Sequence, residues 1–167
     1  MGQDKSQLMI GAHTLLDFMK SKLRAAGLAE IWVSGPLNGA IPDLHSGLGP
    51  LGGIASAVAR AADHSQLLVV AVDQPRLSVR LLHALLEVPD VAAVRFGREP
   101  LPMRLRVDPQ LRQLLRASLS APDHAARSLH ALQQSVSITK LTTSADELKK
   151  LSSVNTPEQW RDFLLGF

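Results

Sequence analysis

The stretch QLLVVAVD, Gln66 to Asp73, runs six apolar residues together without a polar one between them. A strand with one wet face alternates apolar and polar residues, so an unbroken run predicts burial on both faces, as in a parallel sheet covered by helices. The run ends on Asp73, followed by Gln74 and Pro75. Open parallel sheets hold ligands beyond the carboxyl ends of their strands, which is where Asp73 falls. A carboxylate fixed there by a strand and a proline turn suits a magnesium ion that also touches phosphate oxygens. The same position equally suits an aspartate that closes a turn.

The rest of the chain alternates around this strand. Leu15, Leu16, Met19 and Leu23 recur at helical spacing, and Gly27 follows as a stop. EIWVS, residues 30–34, reads as a short strand. A Gly/Pro-rich loop leads into LGPLGGIASAVARAA, where Ile54, Ala57, Val58 and Ala61 mark a helix. Ser78 is predicted to cap a helix through Glu87, and VAAVRF is a further strand. PLPMRLR is extended because its prolines oppose helix. Asp108-Pro109 opens a Leu-rich helix through Leu119. Asp123 is expected to cap a helix carrying Ala126, Leu129 and Leu132, and VSITKL is a late strand. Thr156-Pro157 opens a last helix with Trp160, Phe163 and Leu164 on one face. Strands alternating with helices predict a doubly wound α/β fold, with a mostly parallel sheet and helices on both faces.

At 167 residues, the chain is expected to form a single domain, 1–167. It lacks cysteine, which rules out disulfides, thiolate zinc sites and cysteine nucleophiles within it. No apolar run approaches the roughly 20 residues of a membrane span. No export signal is recognisable at the N-terminus, and a cytoplasmic location is the expectation. The formal net charge is +3, spread without a dense basic run or aromatic interleaving. That balance fits a small anion such as a nucleotide better than a nucleic acid. His124 and His130 do not share a helical face, no histidine pair has a metal-ligand spacing, and no nucleophile elbow occurs. The arginines from Arg95 to Arg116 are a candidate anion-facing group, although Arg112 and Arg116 alone read as the exposed side of a helix.

In HSGLGPLGGIASAV, Gly47, Gly49, Gly52 and Gly53 permit close backbone approach, and the following helix turns free amides outward. The stretch is neither a Walker loop nor a dinucleotide fingerprint, and a tight crossover explains it equally well. Asp43, just ahead of it, suits hydrogen bonds from a base or sugar, or a turn. Lys5, beside Asp4, suits phosphate neutralisation or plain solvation.

Taken in order, MGQDK, PD followed by GLGPLGGI, VDQP, EPLP and VNTPEQW resemble the molybdenum cofactor guanylyltransferases and their nucleotidyltransferase relatives. The resemblance runs from the first residue almost to the last. It implies a Rossmann-like, nucleotide-diphospho-sugar-transferase-like fold, Mg²⁺ as cofactor, and GTP and molybdopterin as partners. The product is molybdopterin carrying GMP, destined for molybdoenzymes or their chaperones, and neither a nucleic acid nor a membrane is a partner. By the same resemblance Lys5 contacts the nucleotide phosphates and Asp43 the nucleotide. Gly49 belongs to the nucleotide loop, and Ser34 matches a small polar position near the nucleotide. Asp73 binds the metal, and Asn155 lies near the pterin.

The chain departs from the family in two places. Relatives have an apolar strand and a Leu-Ala-Gly-Gly-x-Ser-x-Arg loop directly before the Met-Gly with which this chain begins. The domain is therefore expected to lack that strand and loop, with an upstream start as the leading explanation and impaired nucleotide binding as the other. Ser153 stands where relatives have the first asparagine of the closing motif. VDQP is similar to the cytidylyl branch, whereas GPLGGI and VNTPE are similar to the guanylyl branch. GTP is the expected substrate, with CTP as the alternative. A non-catalytic cofactor-binding protein is the alternative from another class.

Overall fold

The computed structural model describes residues 4–35, 37, 39–44, 47–123 and 125–166. A 3₁₀ turn over Lys5–Gln7 comes first, then strands β1 (Met9–Ile10) and β2 (His13–Thr14) and helix α1 (Leu15–Ala25). Helix α2 (Gly49–Arg60), strand β3 (Gln66–Val69), helix α3 (Val79–Leu86) and strands β4 (Ala93–Phe96) and β5 (Met103–Arg106) follow. Helices α4 (Pro109–Leu119) and α5 (Leu129–Ser135), strand β6 (Ile138–Leu141) and helices α6 (Ala145–Lys149) and α7 (Pro157–Leu165) complete the order.

The main sheet has four strands in the order β3-β5-β4-β6. β4 and β6 are parallel, and β5 lies antiparallel between β3 and β4, so three strands run one way and one runs back. The reversed strand follows from its connection. Residues 97–102 are too few to build a crossover helix, so the chain turns back beside β4.

Side chains alternate across this sheet with period two. Val94 and Phe96 join Leu15, Met19, Leu81, Leu82, Leu85 and Phe163, which come from α1, α3 and α7. Ala93, Met103 and Leu105 join Leu51, Ile54, Val58, Leu111, Leu115 and Leu132, which come from α2, α4 and α5. The result is three layers, with the sheet between two helical faces. No helix of the described residues is long and apolar enough to cross a membrane.

Several boundaries differ from the sequence reading. The strand expected over 66–73 stops at Val69. In the β3–β5 register Val69 faces Met103, so the next partner is Pro102, which has no amide to donate. Residues 70–72 therefore leave the ladder while Val70 and Val72 stay packed on one core and Ala71 on the other, carrying Asp73 past the end of the strand. β3 packs on both faces as expected, Leu68 against one core and Leu67 and Val69 against the other, and its side chains are only partly buried because within the described sheet it is an edge strand. Residues 30–34 form no strand. They hold a single parallel bridge, Ser34 to Ile41, with the Ile41 amide donating to the Val33 carbonyl at 2.8 Å. The β1–β2 hairpin is too short for any periodicity to announce it, and Gly11 makes its turn at φ +59°.

The helix starts show the same mixture. Ser78, Asp108 and Thr156 cap α3, α4 and α7 as expected, each accepting a backbone amide. Asp123 does not cap a helix. It accepts the Ala125 amide in a local turn at 3.1 Å, while Ser128 caps α5. Among the arginines, Arg112 is not a solvated surface residue. Its guanidinium donates to the carbonyls of Val58 and Ala61 at the end of α2 and pairs with Asp63 at 2.8 Å, satisfying a helix C-terminus. Arg104 is buried under α3, donating to the Leu86 carbonyl at 3.4 Å, and burial lowers its pKa.

Replacing Asp108 with alanine is expected to lower stability by about 1 kcal/mol, the usual cost of a lost N-cap. The corresponding change at Asp123 is expected to stay within about 0.5 kcal/mol, as for an exposed turn residue. Urea unfolding of the two variants separates these outcomes.

Candidate functional site

Two segments distant in sequence, the N-terminal turn and residues 153–155, converge on Asp73. Lys5 enters from the N-terminal 3₁₀ turn, which Asp4 fixes by accepting the Ser6 amide at 3.0 Å. Its ammonium lies 2.9 Å from Asp73 Oδ2 and also donates to Asn155 Oδ1. Ser153 donates to the other carboxylate oxygen, Oδ1, at 3.2 Å. The Val154 amide donates to the Asp73 main-chain carbonyl at 2.8 Å. The Lys5 and Asp73 side chains are 25% and 21% exposed, so water screens the pair. Its contribution to stability is no more than about 1 kcal/mol, and the ammonium is free to exchange one anion for another.

The start of α7 holds Asn155 in place. Thr156 and Gln159 form a capping box, and Gln159 Oε1 accepts the amides of both Asn155 and Thr156, at 2.7 and 3.2 Å. Gln74 ties the neighbouring loops together from inside. It is 4% exposed and donates to the carbonyls of Leu101 and Leu151 at 3.0 and 2.6 Å. Its amide nitrogen thus faces the protein interior. Lys22 of α1 braces the same turn from below, donating to the carbonyls of Pro75 and Leu77 at 2.6 and 2.8 Å.

Ser34, Asp43 and Gly49 form a second group around the start of α2. Gly49 opens the helix at φ +51° and Gly47 precedes it at φ +82°, left-handed geometry that favours glycine at both positions. Among the described residues, no side chain caps this helix start. A Cβ on Gly53 would stand 2.5 Å from Ser34 Oγ, so glycine is what lets Ser34 approach the first turns of α2. Ser56 is buried. It donates to the Gly52 carbonyl at 2.9 Å and accepts the Leu44 amide at 3.0 Å, pinning the loop that carries Asp43.

The structure thus brings Lys5, Asp73 and Asn155 into direct contact and sets Ser34, Asp43 and Gly49 on the glycine loop. Sequence reasoning missed the roles of Ser153, Ser56 and Gln74. Ser56 had left a trace, a polar residue on the apolar face of a helix. Ser153 had been marked only as a departure from the family's closing motif, and Gln74 had no signal beyond its nearness to Asp73. His130 meets Gln134 on the surface, and His124 lies outside the described residues, as do His45 and Ser46 of the glycine loop and the Met-Gly-Gln of MGQDK.

A carboxylate beyond a strand end, a lysine on it and a helix opened by glycine, with no side-chain cap among the described residues, mark an α/β protein with a polar cluster at the end of its sheet. The chain belongs to the MobA-like NTP transferase domain family, whose model matches residues 1–138. It is 44% identical over 162 residues to a molybdenum cofactor guanylyltransferase of Xanthomonas euvesicatoria pv. vesicatoria, covering 96% of this chain and 85% of that one. It is 33% identical over 132 residues to a molybdenum cofactor guanylyltransferase of Shewanella putrefaciens, covering 75% and 65%. The fold is similar to that of 2-C-methyl-D-erythritol 4-phosphate cytidylyltransferase from Thermus thermophilus. The TM-score is 0.66 at 19% identity, with 98% of this chain and 93% of that one covered. The protein is thus a nucleotidyltransferase-family α/β domain, as its sequence motifs imply.

Burial lowers the Lys22 pKa from 10.5 to about 8. Between those values the unfolded chain holds a proton that the folded one has released, so stability rises with pH across the window. The contribution is complete above 10.5 and is lost as pH falls through about 8. Urea unfolding at pH 7 and pH 9.5 is expected to show wild type gaining on Lys22→Met at the higher pH; an unchanged gap contradicts this.

Proposed function

We propose that this chain transfers GMP from GTP to the terminal phosphate of molybdopterin and releases pyrophosphate. The convergence of Lys5 and Asn155 on Asp73, in a chain whose relatives carry the guanylyltransferase name, is the observation that supports this reading most. A terminal phosphate oxygen of molybdopterin forms the new bond to the α-phosphorus of GTP as the bond to the β-phosphate oxygen breaks. The substrate supplies the nucleophile, so the protein needs to position and neutralise rather than bond covalently.

The residues around Asp73 fit Mg²⁺. They offer hard oxygen donors, with the Asp73 carboxylate and the Asn155 amide oxygen close enough to share one ammonium. The described residues contain no group of three His, Cys, Asp or Glu side chains that could cage a metal. One carboxylate beside nucleotide phosphates is a usual Mg²⁺ arrangement. Asp73 would hold the ion, which when bound neutralises charge on the phosphates. Lys5, now on Asp73 Oδ2, would turn to the phosphates of GTP and stabilise the charge of the leaving pyrophosphate. The glycine loop at the start of α2 would take the nucleotide against its free amides, with Ser34 and Asp43 beside it. Asn155 would face the pterin side. A cytoplasmic location belongs to the same reading, because GTP is drawn from that pool, and molybdoenzymes or their chaperones would receive the product.

Pyrophosphate release from GTP and molybdopterin tests the proposal. Asp73→Ala is expected to abolish metal-dependent turnover while circular dichroism stays native; undiminished turnover in that variant would sink the assignment. Lys5→Ala is expected to weaken nucleotide binding about tenfold or more, as for loss of a hydrogen bond to a charged group. Equal affinity in a titration of the two proteins contradicts the role given to Lys5.

A further inference from the structure

The two oxygens of the Asp73 carboxylate are not equivalent. Oδ2 faces the Lys5 ammonium, which also touches Asn155 Oδ1, so it points to the place where a cation already stands. Oδ1 is turned the other way and accepts the Ser153 hydroxyl at 3.2 Å. The next residue fixes the backbone beneath it, through the Val154 amide on the Asp73 carbonyl. Without a donor on Oδ1 the carboxylate plane would be held only by the cation at Oδ2, and terminal carboxylate torsions are broad and nearly two-fold. Asp73 sits in a turn beyond the end of β3, where no ladder restrains it.

We infer that Ser153 is a positioning residue. By holding Oδ1 it presents Oδ2 of Asp73 to the cation, and so strengthens the coupling between metal and nucleotide without touching either. This rests on the reading of Asp73 as the metal-binding carboxylate. Ser153 is half-buried and belongs to neither hydrophobic core.

Calorimetric titration of GTP into the full chain, once with Mg²⁺ and once with EDTA, gives a ratio of affinities that reports this coupling. Wild type is expected to bind more tightly with Mg²⁺. Ser153→Ala is expected to lose about fivefold of that ratio, the worth of one hydrogen bond, with its affinity in EDTA unchanged. Ser153→Thr, which keeps the hydroxyl, is expected to restore the ratio to within about twofold. A purely structural serine would lower the melting temperature and both affinities together, leaving the ratio intact, and that result overturns the inference. So does a folded Ser153→Thr protein that fails to restore it. Asp73→Ala separates the two levels of the account. If it abolishes the Mg²⁺ effect while Ser153→Ala does not change it, only the positioning role falls. If wild type shows no Mg²⁺ effect, or Asp73→Ala retains it, the metal reading falls and the inference with it.

Discussion

The Asp73 carboxylate is a junction at which chain segments separated by 68, 80 and 150 residues of sequence meet, counting from Lys5 to Asp73, Asp73 to Ser153 and Lys5 to Asn155. These contacts join segments that the fold brings together, with α1 and α7 packed in the same core. The junction therefore depends on the fold without doing much to stabilise it, because a partly exposed ion pair is worth little. What it supplies is geometry. A carboxylate and an amide oxygen are brought within one hydrogen-bond length of the same lysine ammonium.

The position of that junction follows from a proline. Pro102 sits opposite Val70 in the β3–β5 register and cannot extend the ladder, so β3 ends early and the chain is released to turn. The turn is then secured by its own Gln74, which reaches into the protein, and by two groups from outside it, Lys22 of α1 and Val154 of the closing segment. A short, tightly braced turn keeps a solvent-facing carboxylate in place.

Much of this was legible in the sequence. The apolar run before Asp73, the caps at Ser78, Asp108 and Thr156, and the alternation of strands with helices are local signals, and local physics decided them. Lys5, Asp73 and Asn155 came from motifs, and the structure places them in contact. What local patterns could not give was pairing. The early end of β3, the failure of residues 30–34 to become a strand and the reversed direction of β5 all depend on which neighbour a strand meets. Asp123 lost its expected helix to Ser128 because both residues can cap, and the apolar residues Leu129 and Leu132 lie closer to the second. The contacts of Arg112 and Ser153 were unreadable for the same reason, since their partners lie on elements distant in sequence.

Binding of a guanine nucleotide through the Lys5–Asp73 cluster is the claim on which everything else rests. Titration of GTP–Mg²⁺ and then CTP–Mg²⁺ into the 167-residue chain tests it most directly. Saturable binding of GTP, with CTP weaker, is the expected result. Binding of neither nucleotide, or a preference for CTP, would contradict it.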